Sequence, residues 1–359
     1  MHKRIFSVLV ILGLICSTSV KAQSLQETLS SLSSSVGSAY VKPVISAFGS
    51  NLNSGWVSQV PSATKLGLHL DLKIVAMGSF FSSDVKNFAA QGGFYFSGTQ
   101  VDQILQNSNL TPATMGSANY NDLKQAMIAK QFSVTFSGPT IIGKKSDHLK
   151  IVFPGQTVSS ATGNYTVQQY SLDVPQVYGY LDELFGFPTA AIQLTAGTVF
   201  GTNVAIRYFP DTDIKDLGKF SFFGAGFIHN IGVWFPNPIP LDIGVGFFTQ
   251  KMKVGNIFES TATQYGIYAS KTFGFIVSIT PYVGLTMESS KTTVSYNYQS
   301  NQVVGGVPVP PVKISFDMDG DNSSSAVIGF NLHLAVVNIN ADYKFAKTST
   351  ASAGVSFGF

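Results

Sequence analysis

The feature that most restricts what this chain can fold into is a period of two, in which apolar residues alternate with small or polar ones. Over 66–74 every second residue is apolar, and Gly, His, Asp and Lys stand between them. The same period recurs over 241–248, 275–288, 326–334 and 338–345. Side chains of a β-strand point alternately to opposite faces. The pattern therefore predicts strands with one apolar and one polar face.

The apolar face of these strands can meet either a protein core or lipid. In a soluble sandwich the second face is normally rich in Lys and Glu. Here that face is mostly Gly, Ser, Thr and Asn, and only 11% of all residues are charged, against roughly 25% in an ordinary domain. After residue 22 no run of about 18 apolar residues could span a bilayer as a helix. A closed barrel is the other structure that can cross lipid, because it satisfies every backbone hydrogen bond internally.

We therefore predict an all-β fold, a transmembrane antiparallel β-barrel of about 14 strands, in residues 61–359. An even strand number places both ends of the barrel chain on the same side of the membrane. The predicted strands are 64–78, 88–98, 130–138, 147–153, 163–174, 189–197, 203–209, 218–235, 241–253, 260–271, 275–298, 324–335, 338–346 and 351–359.

Residues 1–22 have the order of a secretory signal peptide. Lys3 and Arg4 precede an apolar stretch from Ile5 to Cys16, and Val20-Lys21-Ala22 resembles a cleavage site. Cys16 could instead carry a lipid, but Leu14-Ile15 lacks the small residue normally found before a lipidated cysteine. Three of the 22 cations belong to this leader, so the remaining 19 match the 19 acids. A nucleic-acid partner is not expected, because phosphate binding needs clustered Lys and Arg.

The last predicted strand alternates to the final residue. Phe357 and Phe359 end a series of apolar residues separated by Gly and Ser. This resembles the terminal strand of outer-membrane barrels, whose last aromatic residue is recognised by the barrel-assembly machinery. The alternative is an ordinary last strand. Together with the leader, this strand predicts the outer membrane of a Gram-negative bacterium as the location, with its lipids and the assembly machinery as partners.

Residues 23–60 have a different period. Leu25, Leu29, Leu32, Val36 and Tyr40 recur at helical spacing, and then Pro43 and Gly49 interrupt the pattern. We predict a short amphipathic helix followed by a loop. Two interpretations remain open: a plug inside the barrel, or a periplasmic segment outside it.

Five stretches match one known family: Asn53-Ser54-Gly55-Trp56, Ala205 to Pro210, Gly226 to Pro236, Ala341-Asp342-Tyr343 and the Gly-rich last strand. They resemble uncharacterised outer-membrane β-barrel proteins common in Bacteroidota. That family is in turn loosely similar to the FadL-type long-chain fatty acid transporters, which are 14-stranded barrels with an N-terminal plug. The resemblance implies location and fold, and by analogy the passage of a hydrophobic molecule. It transfers no ligand-contacting residue.

The polar faces of the predicted strands supply the candidate site residues. Ionisable groups that point into a membrane protein are functional candidates by default, although pairing across the barrel or holding a plug would explain them equally well. His69 and Asp71 share a face, which permits a catalytic pair but favours a polar ladder with Lys73. The lumen and ligand candidates are His69, Asp71, Lys73, Arg207, Asn331, His333, Asn340, Asp342 and Lys344.

No catalytic motif, cofactor or metal site is expected. Asp317, Asp319 and Asp321 resemble a calcium loop, but the twelfth position is Ile328 rather than Glu. A solvated loop is favoured. We therefore predict a non-enzymatic barrel that passively transports or binds a hydrophobic or small amphipathic ligand. The alternatives are a structural or surface-interaction barrel and, third, a lipid-modifying enzyme.

Overall fold

The computed structural model describes residues 29, 32–182, 184–214, 218–235, 240–304 and 306–358. The predicted signal peptide and Phe359 lie outside these residues. The helices are α1 (Ser34–Leu52), α2 (Gly98–Asn107), α3 (Pro112–Met115) and α4 (Ser117–Ala129). Within the described part of the chain, no helix is both long enough and apolar enough to cross a bilayer.

The strands cover most of the remaining chain. In order they are β1 (Leu66–Phe80), β2 (Asn87–Phe94), β3 (Phe132–Pro139), β4 (His148–Phe153), β5 (Gln156–Ser160), β6 (Gly163–Val167), β7 (Tyr170–Tyr178), β8 (Gly186–Val199), β9 (Thr202–Ile214), β10 (Gly218–Asn230), β11 (Asp242–Val254), β12 (Phe258–Ser270), β13 (Phe273–Gly274), β14 (Val277–Tyr298), β15 (Val303–Val304), β16 (Val307–Pro308), β17 (Val312–Asp319), β18 (Ser324–Leu334), β19 (Val337–Phe345) and β20 (Thr350–Gly358).

Ten of these strands close into an antiparallel barrel. Its order is β1-β8-β9-β10-β11-β12-β14-β18-β19-β20, and β20 pairs back with β1. Strands β13 and β17 pair with β14 outside this closed path. The barrel is thus all-β and antiparallel as predicted.

The barrel has ten strands rather than the predicted fourteen. The segments 88–98, 130–138, 147–153 and 163–174 do contain strands, but these form a separate sheet in the order β2-β3-β4-β7 and a small β5-β6 hairpin. With five to nine residues each, they are mostly shorter than the roughly 9–11 residues that a tilted strand needs to cross a bilayer. Alternation identified them as strands and could not assign them to a sheet.

The two ends of the barrel differ. At the terminal end, where β1 begins and β20 finishes, two residues connect β8 to β9 and two connect β18 to β19. At the other end, residues 81–185 form a compact cap from α2, α3, α4 and the separate sheet. The cap has a hydrophobic core that includes Phe96, Phe132 and Phe153. We call this the cap end.

The barrel has its apolar face outside and its polar face inside. Along β14 exposed and buried residues alternate from Val277 to Thr292. Val283, Leu285 and Met287 are more than half exposed, while Thr280, Thr286 and Glu288 between or beside them are buried. This distribution is the reverse of that in a water-soluble barrel, whose interior is apolar. It matches a barrel with lipid around it.

Helix α1 runs through Pro43 and Gly49, where the sequence predicted interruptions. Proline removes one intrahelical hydrogen bond, but every residue of α1 from Pro43 to Leu52 is buried. Packing against the cap and the inner barrel wall therefore sustains the helix.

Candidate functional site

The N-terminal segment runs through the barrel from one end to the other. At the cap end, the Tyr296 hydroxyl donates to the Leu32 carbonyl (3.0 Å), and the Ile141 amide donates to the Tyr40 carbonyl (3.0 Å). At the terminal end, the Val60 amide donates to Ser270 (3.2 Å) and Asn230 donates to the Pro61 carbonyl (2.6 Å). We call residues 34–60 the luminal segment.

Glycines allow α1 to lie close to the barrel wall. A Cβ atom at Gly37 would collide with the Tyr296 hydroxyl, and one at Gly49 would collide with the Ser290 side chain. A helix with larger residues at these positions would have to stand further from β14.

Three buried cations of the wall bind carbonyls at the end of α1. Lys344 Nζ donates to the Ser50 carbonyl (2.8 Å) and Arg207 Nη1 to the Ser54 carbonyl (2.9 Å). Lys73 Nζ donates to the Gly55 carbonyl (2.8 Å). The last carbonyls of a helix lack intrahelical partners and form the negative end of its dipole. Lys344 thus binds at the negative end of the helix dipole, and Arg207 and Lys73 bind two carbonyls that follow the helix directly.

Two carboxylates lie beside these three cations. We call the five charged side chains the charged layer, namely Lys73, Arg207, Glu288, Asp342 and Lys344. Glu288 pairs with Lys344 (3.0 Å), and both side chains are 1% exposed. Asp342 accepts hydrogen bonds from Ser352 (2.6 Å) and Tyr282 (2.9 Å). Three cations therefore face two carboxylates.

Trp56 of the luminal segment lies between two groups of the wall. The Arg207 guanidinium lies 4.0 Å from the centre of its ring, and the Phe248 ring stacks at 5.0 Å. Such a cation–π contact is stronger away from water, and Arg207 is fully buried. The tryptophan therefore anchors the segment just after its helix.

A polar cavity of about 390 Å³ lies between the luminal segment and the terminal end. We call it the vestibule. His333 Nδ1 lies 2.8 Å from Asn338 Oδ1, and Asn338 donates to Asp71 Oδ2 (3.4 Å). Asn331 donates to Gln59 of the luminal segment (3.0 Å). The residues lining the vestibule are Trp56, Val57, Ser58, Gln59, His69, Asp71, Gln193, Thr195, Asn203, Ala205, Ile228, Phe248, Asn331, His333, Ala335, Val336, Asn338, Ser356 and Gly358.

The structure divides eight of the nine predicted lumen residues into two groups. Those that hold the luminal segment or belong to its charged layer are Lys73, Arg207, Asp342 and Lys344. Those that line the vestibule are His69, Asp71, Asn331 and His333. Asn340 is buried between the groups, opposite Gly354 on the neighbouring strand. Phe357 points outward and is 54% exposed.

Several site residues were not among the candidates. Glu288 and Tyr282 lie on the polar face of a strand whose alternation was recognised, so the same period of two could have identified them. Asn338 begins the polar face of the alternating stretch 338–345, and Gln193 alternates with Ile192 and Leu194, so the same period applied to them as well. Trp56 and Gln59 belong to a non-alternating segment, and their role follows from its path through the lumen.

Two of the three acidic residues lie in a strand rather than in the predicted loop, because Asp317 and Asp319 belong to β17, which pairs with β14. Asp317 pairs with Lys291 (2.7 Å), and Asp321 pairs with Lys42 of α1 (2.9 Å). The described residues contain no group of three or more His, Cys, Asp or Glu that could hold a metal ion.

A larger groove of about 1230 Å³ lies on the outer surface of the barrel. Its lining includes the exposed side chains of Val283, Ile328 and Phe330. It therefore faces away from the lumen and is separate from the vestibule.

A family model for a family of unknown function (DUF6588) matches residues 1–359. The chain belongs to this family. A search of curated proteins found no match. Membership in the family supplies no activity, so the function must be inferred from the structure.

Solved structures of outer-membrane barrels show weak likeness. The attachment invasion locus protein Ail of Yersinia pestis is 15% identical, with 44% of this chain and 97% of Ail covered and a TM-score of 0.21. A loop L8 deletion mutant of OmpT, an outer membrane protein of Vibrio cholerae, is 9% identical, with coverage of 82% and 98% and a TM-score of 0.22. At these scores the likenesses carry no argument. They do not support the narrower resemblance to Bacteroidota proteins or to FadL-type transporters.

Proposed function

We propose that the protein is an integral β-barrel of a Gram-negative outer membrane. In this proposal the luminal segment closes the barrel at rest, and its displacement lets a small amphipathic or polar solute pass. The observation that carries the proposal is the set of three buried cations that bind the Ser50, Ser54 and Gly55 carbonyls inside the barrel. These hydrogen bonds join the end of the segment to the wall, and the strand pairing of the wall does not depend on them.

The outer surface supports the membrane location. Large apolar side chains are exposed around the barrel, including Leu72, Ile206, Phe247, Leu285 and Ile339. In water such a surface would be an aggregation site, whereas in lipid it is stable. Outer-membrane barrels have short periplasmic turns and long external loops. The cap end would therefore face outward and the vestibule would open to the periplasm.

The polarity of the vestibule supports a small polar or amphipathic solute more than a long acyl chain. Its walls offer carboxamides, imidazoles and one carboxylate. The analogy with FadL-type transporters is thus limited to an N-terminal segment in the lumen. We propose passage rather than catalysis, because Asp71 is bound by Asn338 and occupies a ladder of polar side chains.

An engineered disulfide would test the closure. The Ser50 and Thr350 hydroxyls lie 2.6 Å apart, one on α1 and one on the wall. The only Cys of the chain, Cys16, lies in the predicted leader, so a pair of cysteines at these positions has no competing thiol. Oxidised Ser50→Cys/Thr350→Cys protein in liposomes should lose solute uptake, and a reductant should restore it.

The chain provides a matched control. Ser260 and Thr292 are also buried with hydroxyls 2.6 Å apart, but both belong to the wall. Ser260→Cys/Thr292→Cys protein should keep its uptake under oxidation. If the protein without either disulfide transports neither labelled glucose nor a labelled fatty acid above empty liposomes, the transport proposal is wrong.

The cap favours a second candidate, a surface-interaction barrel. Within residues 81–185 the rings of Phe96, Phe132 and Phe153 pack against one another, in a hydrophobic core that continues into α1, and this region would stand on the outer surface of the cell. In that case deletion of the cap would abolish adhesion to host or neighbouring cells, and the disulfide across the luminal segment would have no effect on it.

A further inference from the structure

Five carboxamide side chains from five different parts of the chain meet at the vestibule. Gln59 comes from the luminal segment, and the others come from β8, β9, β18 and β19. A carboxamide both donates and accepts hydrogen bonds. The five residues are Gln59, Gln193, Asn203, Asn331 and Asn338.

Asn331 retains an unused acceptor. Its side chain is 4% exposed, and its amide nitrogen donates to Gln59. Its Oδ1 has no hydrogen-bond partner among the described residues. A buried polar atom without a partner is costly and needs an explanation. Asn331 lines the vestibule, and rotation of its side chain would present this oxygen to a hydroxyl of a bound solute.

The charges of the vestibule argue against an anionic solute. Asp71 is the one carboxylate in the lining, and none of the described lining residues is Lys or Arg. The nearby cations, Lys73 and Arg207, are directed at carbonyls of the luminal segment. A phosphate or carboxylate would therefore meet the Asp71 carboxylate without the Lys or Arg donors that such groups normally require, and the other ionisable groups of the described lining are the imidazoles of His69 and His333.

The rest of the lining is apolar. Val57, Ala205, Ile228 and Phe248 contribute hydrophobic surface beside the carboxamides. A sugar has the same mixed character, with hydroxyls around its edge and C–H groups on its faces. The cavity of about 390 Å³ lies at the lower end of small-molecule sites, about 300–1,000 Å³.

We propose that the vestibule binds a neutral polyhydroxylated solute of about monosaccharide size. This inference deepens the proposed function by naming the solute class, and it rests on that function only for the side of the membrane to which the site opens. The binding itself requires the vestibule alone.

Tryptophan fluorescence can detect this binding. Trp56 lines the vestibule, and the second tryptophan, Trp234, lies outside it. In Trp234→Phe protein, kept in a detergent without a sugar headgroup, D-glucose should change the fluorescence saturably. D-Glucose 6-phosphate should bind at least about tenfold more weakly, because Asp71 repels it.

Variants of the wall locate the site. Asn331→Leu removes the unused acceptor, and we expect glucose to bind about tenfold more weakly. This change corresponds to a loss of about 1.4 kcal/mol of binding free energy. Thr195→Val removes one hydroxyl of the lining with little change in volume and should also weaken glucose binding. This second variant tests the site if Asn331→Leu does not fold. The exposed Asn297 at the cap end provides the control, and Asn297→Leu should bind as the parent does.

The outcomes separate the two proposals. No saturable change with glucose, equal binding of the phosphorylated sugar, or unchanged binding in both vestibule variants would overturn this inference. Saturable glucose binding in a protein that shows no uptake in liposomes would support the vestibule site and refute passage.

Discussion

Removing the buried lysine of the charged layer should destabilise the protein severely. Lys344 and Glu288 form an ion pair at 3.0 Å with both side chains 1% exposed, and Lys344 also binds the Ser50 carbonyl. In Lys344→Met the carboxylate of Glu288 would remain buried without its cation. Breaking a buried pair in this way costs about 3–5 kcal/mol.

The double variant separates the charge effect from the loss of packing. Lys344→Met/Glu288→Gln contains no unpaired charge, so we expect it to regain most of the lost stability. A residual cost of about 1–3 kcal/mol should remain, because the Ser50 carbonyl loses its charged donor and keeps only the Ser54 hydroxyl. Urea titrations in detergent, followed by the fluorescence of Trp56, would give the free energies for a double-mutant cycle.

An exposed pair of the same barrel is the control. Lys253 and Glu259 lie 3.4 Å apart with side chains 61% and 54% exposed. Lys253→Met should cost no more than about 1 kcal/mol, as is usual for surface pairs. If Lys344→Met costs as little as Lys253→Met, then the interior is hydrated enough to solvate Glu288, and the closed lumen described above is incorrect.

Three further predictions concern α1 and the cap. Partial burial favours a higher pKa for Asp321, but the Lys42 ammonium, together with the Ser46 hydroxyl and the Lys347 charge, outweighs burial and lowers that pKa below its usual value. The stabilisation is complete above the unfolded pKa of about 3.9 and is lost as the pH falls through the folded pKa. Hydrogen exchange of the α1 amides should therefore increase below about pH 4. Asp321→Asn should remove this pH dependence. Gly49→Val should cost about 1–3 kcal/mol through overpacking and raise basal uptake, whereas Gly78→Ala should be neutral because its Cβ meets no atom within 4 Å. Phe96→Ala, at a fully buried ring, should cost about 3–5 kcal/mol and make residues 81–185 sensitive to limited proteolysis while the barrel persists.

The local sequence was sufficient to predict most of the strands and the direction of their side chains, although β17 lies in a region predicted as a loop. Every predicted strand segment contains a strand, and Lys73, Arg207, Asp342 and Lys344 all point inward as their alternation indicated. The reason is that the period of two is a property of a residue and its immediate neighbours. It also predicted that the apolar face would be the outer one.

The closure of the barrel and the content of its lumen depended on the tertiary structure. The short strands of 88–174 have the same local pattern as the wall, and only their pairing with one another places them in the cap. The pairing of Glu288 with Lys344 joins residues 56 positions apart, and the path of residues 34–60 depends on contacts with most of the wall. Such long-range contacts depend on the free energy of the whole closed barrel. A short stretch of sequence does not determine that free energy.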